Sequence, residues 1–224
     1  KRVQARDYDE HLLIFTEEQQ YIIDTICREW EEEDAKRYLI HGVTGSGKTQ
    51  VYMKLIEEIV ERGQQAIVLI PEISLTYQTV KRFVSRFGNR VSIMNSKLSK
   101  GERYDQFMRA KRGEVDIMTG PRSALFTPVS NLGLIIVDEE HEPSYKQQDP
   151  APRYHARSVA AMMSQWYGAK VLLGTATPSI ESYHNALSGK YGLVEMKERF
   201  RGLQLPKITL VDLQRQYHRK EMYG

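Results

Sequence analysis

The sequence predicts a doubly wound, mainly parallel α/β sheet, and three observations carry that expectation. Apolar segments rich in Val, Ile and Leu recur at 38–41, 66–70, 90–94, 115–119, 134–137 and 170–174, separated by stretches with helical spacing. Continuous hydrophobic strands alternating with helices belong to parallel sheets covered on both faces. A G-x-x-x-x-G-K-T run at 42–49 lies between one such strand and a helical stretch. The most apolar strand, 134–137, runs directly into Asp138-Glu139-Glu140-His141.

The elements follow in order. Residues 1–14 show no clear period and 1–10 are polar, as expected of a linker or the tail of a preceding domain. Thr16 and Gln19 have the spacing of a capping box, and Ile22, Ile23 and Ile26 give the helix that follows its inward face. After strand 38–41 and the glycine-rich run, Val51, Leu55 and Ile59 repeat at helical spacing up to Gly63. A helix is expected over 74–87, and Ser99 with Glu102 opens another that ends near Gly113. Residues 142–154, with Pro143, Pro150 and Pro152, read as a polar loop before a helix reaching about Trp166. Strand 170–174, helix 179–187 and two late strands near Tyr191 and Ile208 complete the pattern.

Composition sets limits. Of 224 residues, 41% are hydrophobic and 27% charged, as in ordinary globular chains. No apolar run approaches the roughly 20 residues needed to cross a membrane, so no membrane partner is expected. Cys27 stands alone, which excludes an internal disulfide and a cysteine zinc site; a cytoplasmic, nucleoid-associated location is the expectation. The net charge of +3 is mild, but Lys81, Arg82 and Arg86, then Arg109, Lys111 and Arg112, then Arg153 and Arg157 cluster. Those clusters leave DNA binding open.

The chemistry begins at the glycine-rich run. Gly42, Thr44, Gly45, Ser46 and Gly47 form a loop whose backbone N–H groups can wrap a phosphate at a helix N-terminus. Lys48 is expected to reach the β- and γ-phosphates and Thr49 to offer its hydroxyl to Mg²⁺, so the ligands expected are ATP and Mg²⁺. Asp138 is the second magnesium ligand expected, and Glu139 the group that orients and deprotonates the attacking water. His141 has no zinc-site partner, because position 145 is Tyr; a neutral, hydrogen-bonding role is expected of it. Thr175 and Thr177 follow strand 170–174 in a turn placed to respond to the γ-phosphate.

Taken together, Gln19, G-V-T-G-S-G-K-T, P-E-I-S-L-T at 71–76, D-E-E-H and T-A-T-P at 175–178 resemble the first motor lobe of a superfamily 2 helicase. R-S-A-L-F-T-P at 122–128, I-I-V-D-E-E-H-E-P-S-Y-K-Q at 135–147 and P-R-Y-H-A-R at 152–157 narrow the likeness to the primosomal, replication-restart helicases. Asn95, Pro121, Gln50 and Ser158 depart from that family's pattern, and Asn95 and Pro121 leave the DNA contacts near them open.

The resemblance implies a RecA-like P-loop NTPase lobe over 15–198, with 199–224 leading towards a second lobe. It implies an ATP-driven 3′-to-5′ DNA helicase that restarts stalled forks and acts as a monomer. Its partners would be forked or single-stranded DNA, primosome and helicase-loading proteins and single-stranded DNA-binding protein. Zinc would belong only to other parts of such a protein. Gln19 would read the adenine edge as well as cap its helix. Glu72, Thr76 and Arg122 would lie along the DNA track, and Tyr145, Lys146, Arg153, Tyr154 and Arg157 would form an aromatic and cationic loop coupling DNA to hydrolysis. Aromatics among cations suit stacking on unpaired bases; a loop packed on its own tyrosines is the alternative. A duplex-DNA translocase and a nucleotide-bound fork-recognition scaffold are the other functions the sequence allows. One lobe alone is expected to bind nucleotide and hydrolyse it slowly.

Overall fold

The computed structural model describes residues 14–32 and 37–199. The expected linker at 1–14, apart from its last residue, the strand near Ile208 and the connection at 199–224, apart from its first, lie outside the described residues. The chain runs α1 (Glu17–Glu31), β1 (Arg37–Gly42), α2 (Lys48–Glu61), β2 (Gln65–Leu69), α3 (Tyr77–Phe87), β3 (Val91–Ile93) and α4 (Lys100–Lys111). It continues through β4 (Ile117–Gly120), β5 (Leu132–Asp138), α5 (Ala156–Tyr167), β6 (Lys170–Thr175), α6 (Ile180–Leu187) and β7 (Tyr191–Met196). The strands form one sheet in the order β3-β4-β2-β5-β6-β1-β7, and every pairing between them is parallel.

Alternation along each strand divides the core in two. Tyr38 and Ile40, Ala66 and Val68, and Leu134 and Ile136 face one layer with α1, α2 and α3. Leu39, Ile67, Ile135 and Val137 face the other with α4, α5 and α6. The period of two sends neighbouring residues to opposite faces, so a strand buried on both sides must be apolar throughout. Residues 134–137 are fully buried for that reason. Each such side chain contributes about 1.5–3 kcal/mol on burial.

The α-helix starts other than that of α2 carry side-chain caps. Thr16 Oγ1 accepts from Gln19 N at 3.2 Å while Thr16 N donates to Gln19 Oε1 at 3.0 Å. Ser99 and Glu102 make the same reciprocal pair. The helix expected from 74 starts instead at Tyr77: Glu72–Ser74 form a short 3-10 turn and Thr76 takes the cap position. The 115–119 segment enters the sheet only at Ile117.

A wholly parallel sheet places the C-terminal ends of its strands along one edge. The residues after β1, β2, β3, β4, β5 and β6 therefore share that edge, and they are the segments singled out in the sequence.

Candidate functional site

The loop leaving β1 turns into α2 through Gly47, whose φ of 86° is left-handed. A Cβ there would also lie 2.3 Å from Gln19 Nε2, so both conformation and space require glycine. Gly47 supplies no side-chain cap and the first turn of α2 carries no acidic residue, which leaves the positive end of this helix dipole facing the loop. Thr44 and Gly45 are exposed at the tip and Ser46 is buried. Lys48 Nζ donates to Gly42 O at 2.8 Å, which folds the ammonium over the loop. Thr49 sits in the first turn of α2.

Gln19 is fully buried and closes the loop from behind. Its Nε2 donates to Ser46 O at 2.9 Å and lies 3.4 Å from Gln50 Oε1. Both ends of the amide are thus engaged within the protein, and adenine contact requires those bonds to open. The capping role expected of Gln19 is present, and the same amide also braces the phosphate loop against the start of α1.

Asp138 ends β5 opposite Gly174 of β6, and Gly174 is opposite Ile40 of β1. Tyr52, from the second turn of α2, crosses this row and donates from Oη to Asp138 Oδ1 at 3.0 Å. A Cβ on Gly174 would lie 1.5 Å from Tyr52 Oη, so the glycine is the passage the tyrosine uses. Burial and the adjacent Glu139 charge push the Asp138 carboxyl up to about 6, against the opposing pull of the Tyr52 hydrogen bond and Lys48. Burial and Asp138 together hold the Tyr52 phenol well above its usual range, so it remains a donor.

Glu139 is the one non-glycine described residue with positive φ, at 48°, a strained conformation held by its neighbours. Its carboxylate lies 3.7 Å from His141 Nδ1. That nitrogen is also 2.7 Å from Thr175 Oγ1 and 3.5 Å from Thr177 Oγ1, while Thr177 N donates to Thr175 Oγ1 at 3.0 Å. The end of β5 and the turn after β6 therefore meet at His141.

Among the described residues, no group of three or more His, Cys, Asp or Glu side chains could cage a metal. The Thr49 hydroxyl and the Asp138 carboxylate are oxygen donors of the kind magnesium uses, one or two at a time, together with substrate oxygens and water.

The residues expected along DNA divide. Glu72 Oε1 accepts from Ser96 N at 3.2 Å, and Arg122 donates from Nε to Gln147 Oε1 at 2.7 Å and from Nη1 to Ser144 O at 2.6 Å. Both line an open groove of about 600 Å³ with Asn95, Arg103, Tyr104 and Tyr154. Tyr154 stacks edge-on with Phe126, their ring centroids 5.2 Å apart. Lys146 and Arg153 are exposed.

Three of these side chains have partners within the protein. Tyr145 is buried, and its hydroxyl turns inward to Leu69 O and Asp138 O, so it packs the loop and offers no face to a base. Arg157 is paired with the buried Glu140 rather than presented to phosphates. The Thr76 hydroxyl caps α3 by accepting from Thr79 N at 3.3 Å.

Tyr52, Glu140, Ser179 and Ser182 were missed. Tyr52 lies four residues after Lys48, on the same helix face, which is the signal that it turns towards the strand ends. The serines carry no local pattern, because their common partner is distant in sequence.

The family described as type III restriction enzyme, res subunit, matches residues 12–180. The replication restart protein PriA of Bacillus subtilis is 47% identical over 201 residues, covering 90% of this chain and 25% of that protein. PriA of Haemophilus influenzae is 47% identical over 179 residues, 80% of this chain and 24% of its own length. The chain thus spans about a quarter of these curated relatives. Among solved structures, RecG bound to a three-way DNA junction superposes with a TM-score of 0.67 at 22% identity, covering 93% of this chain and 27% of that one. The Pyrococcus furiosus Hef helicase domain gives 0.54 at 18%, covering 82% and 39%. These two likenesses concern the RecA-like fold. The chain belongs to the helicase family of the type III restriction enzyme res subunit, and within it resembles the N-terminal helicase lobe of replication restart protein PriA.

Proposed function

We propose that this chain is the ATP-binding motor lobe of a 3′-to-5′ DNA helicase that restarts stalled replication forks and initiates primosome assembly. The observation that carries the reading is the Tyr52–Asp138 bond of 3.0 Å, which joins the phosphate-loop helix to the acidic end of β5. In this reading Gly42, Thr44, Gly45, Ser46 and Gly47 wrap the phosphates and Lys48 moves from Gly42 O to the β- and γ-phosphate oxygens. Thr49 and Asp138 would hold magnesium, which would supply charge neutralisation on those oxygens. Glu139 takes the proton of the attacking water, and His141 passes the state of the site to Thr175 and Thr177.

The groove beside Glu72, Arg122 and Tyr154 suits a single strand, with Lys146 and Arg153 at its margin attracting phosphates. Forked DNA as substrate draws support from the PriA relatives and from the RecG structure solved on a three-way junction. Primosome and helicase-loading proteins and single-stranded DNA-binding protein are partners proposed on the PriA likeness. One lobe alone binds nucleotide and turns it over slowly, because an arginine from a facing lobe adds about 10³ to 10⁵ in rate.

ATP turnover tests the proposal, measured with and without forked DNA for this chain, for the longer natural protein carrying it, and for Lys48→Ala. Turnover in the longer protein, stimulated by DNA and lost with Lys48→Ala, is expected. Brisk turnover by this chain alone would refute the half-motor reading.

A further inference from the structure

Glu140 is a fully buried carboxylate that the proposed hydrolysis chemistry does not use. Its Oε1 accepts from Ser179 N at 2.7 Å, and its Oε2 accepts from Ser179 Oγ at 3.1 Å, from Ser182 Oγ at 2.8 Å and from the Arg157 guanidinium. The same Arg157 Nη1 donates to Ser182 Oγ at 2.9 Å and to Ser179 Oγ. Three elements meet there: the end of β5, the first turn of α5, and the capped N-terminus of α6, which follows the Thr175–Thr177 turn.

The pair also closes a loop. Glu140 and Arg157 are 17 residues apart, and the segment between them is the polar loop that leaves β5. Within it, Lys146 bridges His155 in antiparallel fashion and Gln147 N donates to Tyr154 O at 2.8 Å. Arg122 clasps Gln147 and Ser144 from the groove side. The exposed tip around 148–153 therefore rides on a base gripped by Arg122 on one side and by Arg157 on the other.

We propose that Glu140 is a positioning residue that couples this loop to the hydrolysis strand, its carboxylate latched by Arg157 and the capping serines of α6. This rests on the motor reading above. Glu139, strained at φ 48°, stands between two pinned neighbours: Asp138 held by Tyr52, and Glu140 held by the latch. A strand in the groove that shifts Arg122 or the loop tip moves the start of α5, and Arg157 carries that movement to Glu140. The backbone at Glu139 then changes, and with it the aim of the carboxylate that orients water.

The test uses the longer natural protein, with Glu140→Gln as the main variant. The amide keeps an acceptor for Ser179 N and removes the charge that holds Arg157. Ser182→Ala, a gentler change, removes one hydroxyl and serves if the first variant fails to fold. DNA-stimulated kcat is expected to fall about tenfold, within the range of site-to-site coupling factors. Basal turnover, KM for ATP and Kd for single-stranded DNA should stay within about twofold, a split that general loss of structure does not produce. Full stimulation in a folded Glu140→Gln or Ser182→Ala protein overturns the coupling, as does a fall shared equally by basal and stimulated rates. Absence of Lys48-dependent turnover in the unsubstituted protein overturns the motor reading and the coupling with it, so the two failures are distinct.

Discussion

Tyr52 Oη reaches Asp138 Oδ1 at 3.0 Å by passing over Gly174, where no Cβ stands in the way. The contact fixes the helix of the phosphate loop against a strand end two positions across the sheet, at a register where Asp138, Gly174 and Ile40 align. Gly174→Ala is therefore expected to force the tyrosine aside. Overpacking of this kind costs about 1–3 kcal/mol, and about 2–4 °C of Tm per kcal/mol in a chain of this size. Tyr52→Phe added to Gly174→Ala should recover part of that loss, since the colliding oxygen is gone. A melting series on the two singles and the double measures it.

Asp138 gives the nucleotide-free lobe a characteristic pH dependence. Its carboxyl titrates at about 6 when folded, against an ordinary 3.8. Between those values the folded state binds more protons than the unfolded one, so stability falls as pH rises through that window. Above about pH 6 the ionised group costs up to about 3 kcal/mol, less for the portion of the side chain that meets solvent. Asp138→Asn should therefore raise stability at pH 7.5 and flatten the profile between pH 4 and 6. Denaturant titrations at several pH values in the two proteins provide the comparison.

Gln19 offers a separate test of how the phosphate loop is held. Because its amide braces Ser46 O and the Thr16 cap, Gln19→Ala should weaken ATP and GTP binding alike, by about tenfold for about 1.4 kcal/mol of lost bracing. A loss confined to ATP would mean the amide leaves Ser46 to read the base.

Cys27 is predicted to be inert. Burial and the nearby Glu58 push its thiol up to about 11. Its thiolate fraction at pH 8 is then roughly a hundredth of that of an ordinary cysteine, and alkylation by iodoacetamide should slow in proportion.

Much of this was legible in the sequence because the signals were local. The strand–loop–helix around Gly42 to Thr49, the caps at Thr16 and Ser99, and the apolar run into Asp138 each declare themselves within a few residues. Parallel pairing then brought the marked segments to one edge without further instruction. What the sequence concealed was which side chains turn inward. Tyr145 and Arg157 look like partners for DNA, since one is aromatic and the other cationic. Their roles are set by Leu69 O and by Glu140, partners that local sequence does not reveal. Gly174 reads as the close of a strand, and only the path of Tyr52 explains it.

The account's central claim is that Gly42 to Thr49 and Asp138 form one nucleotide site. Calorimetric titration of this chain with ATP, with and without magnesium, alongside Lys48→Ala, tests it most directly. The account predicts saturable one-to-one binding that magnesium strengthens and that Lys48→Ala weakens at least about tenfold, or 1.4 kcal/mol. Equal affinity in the two proteins, or no binding at millimolar ATP, would contradict it.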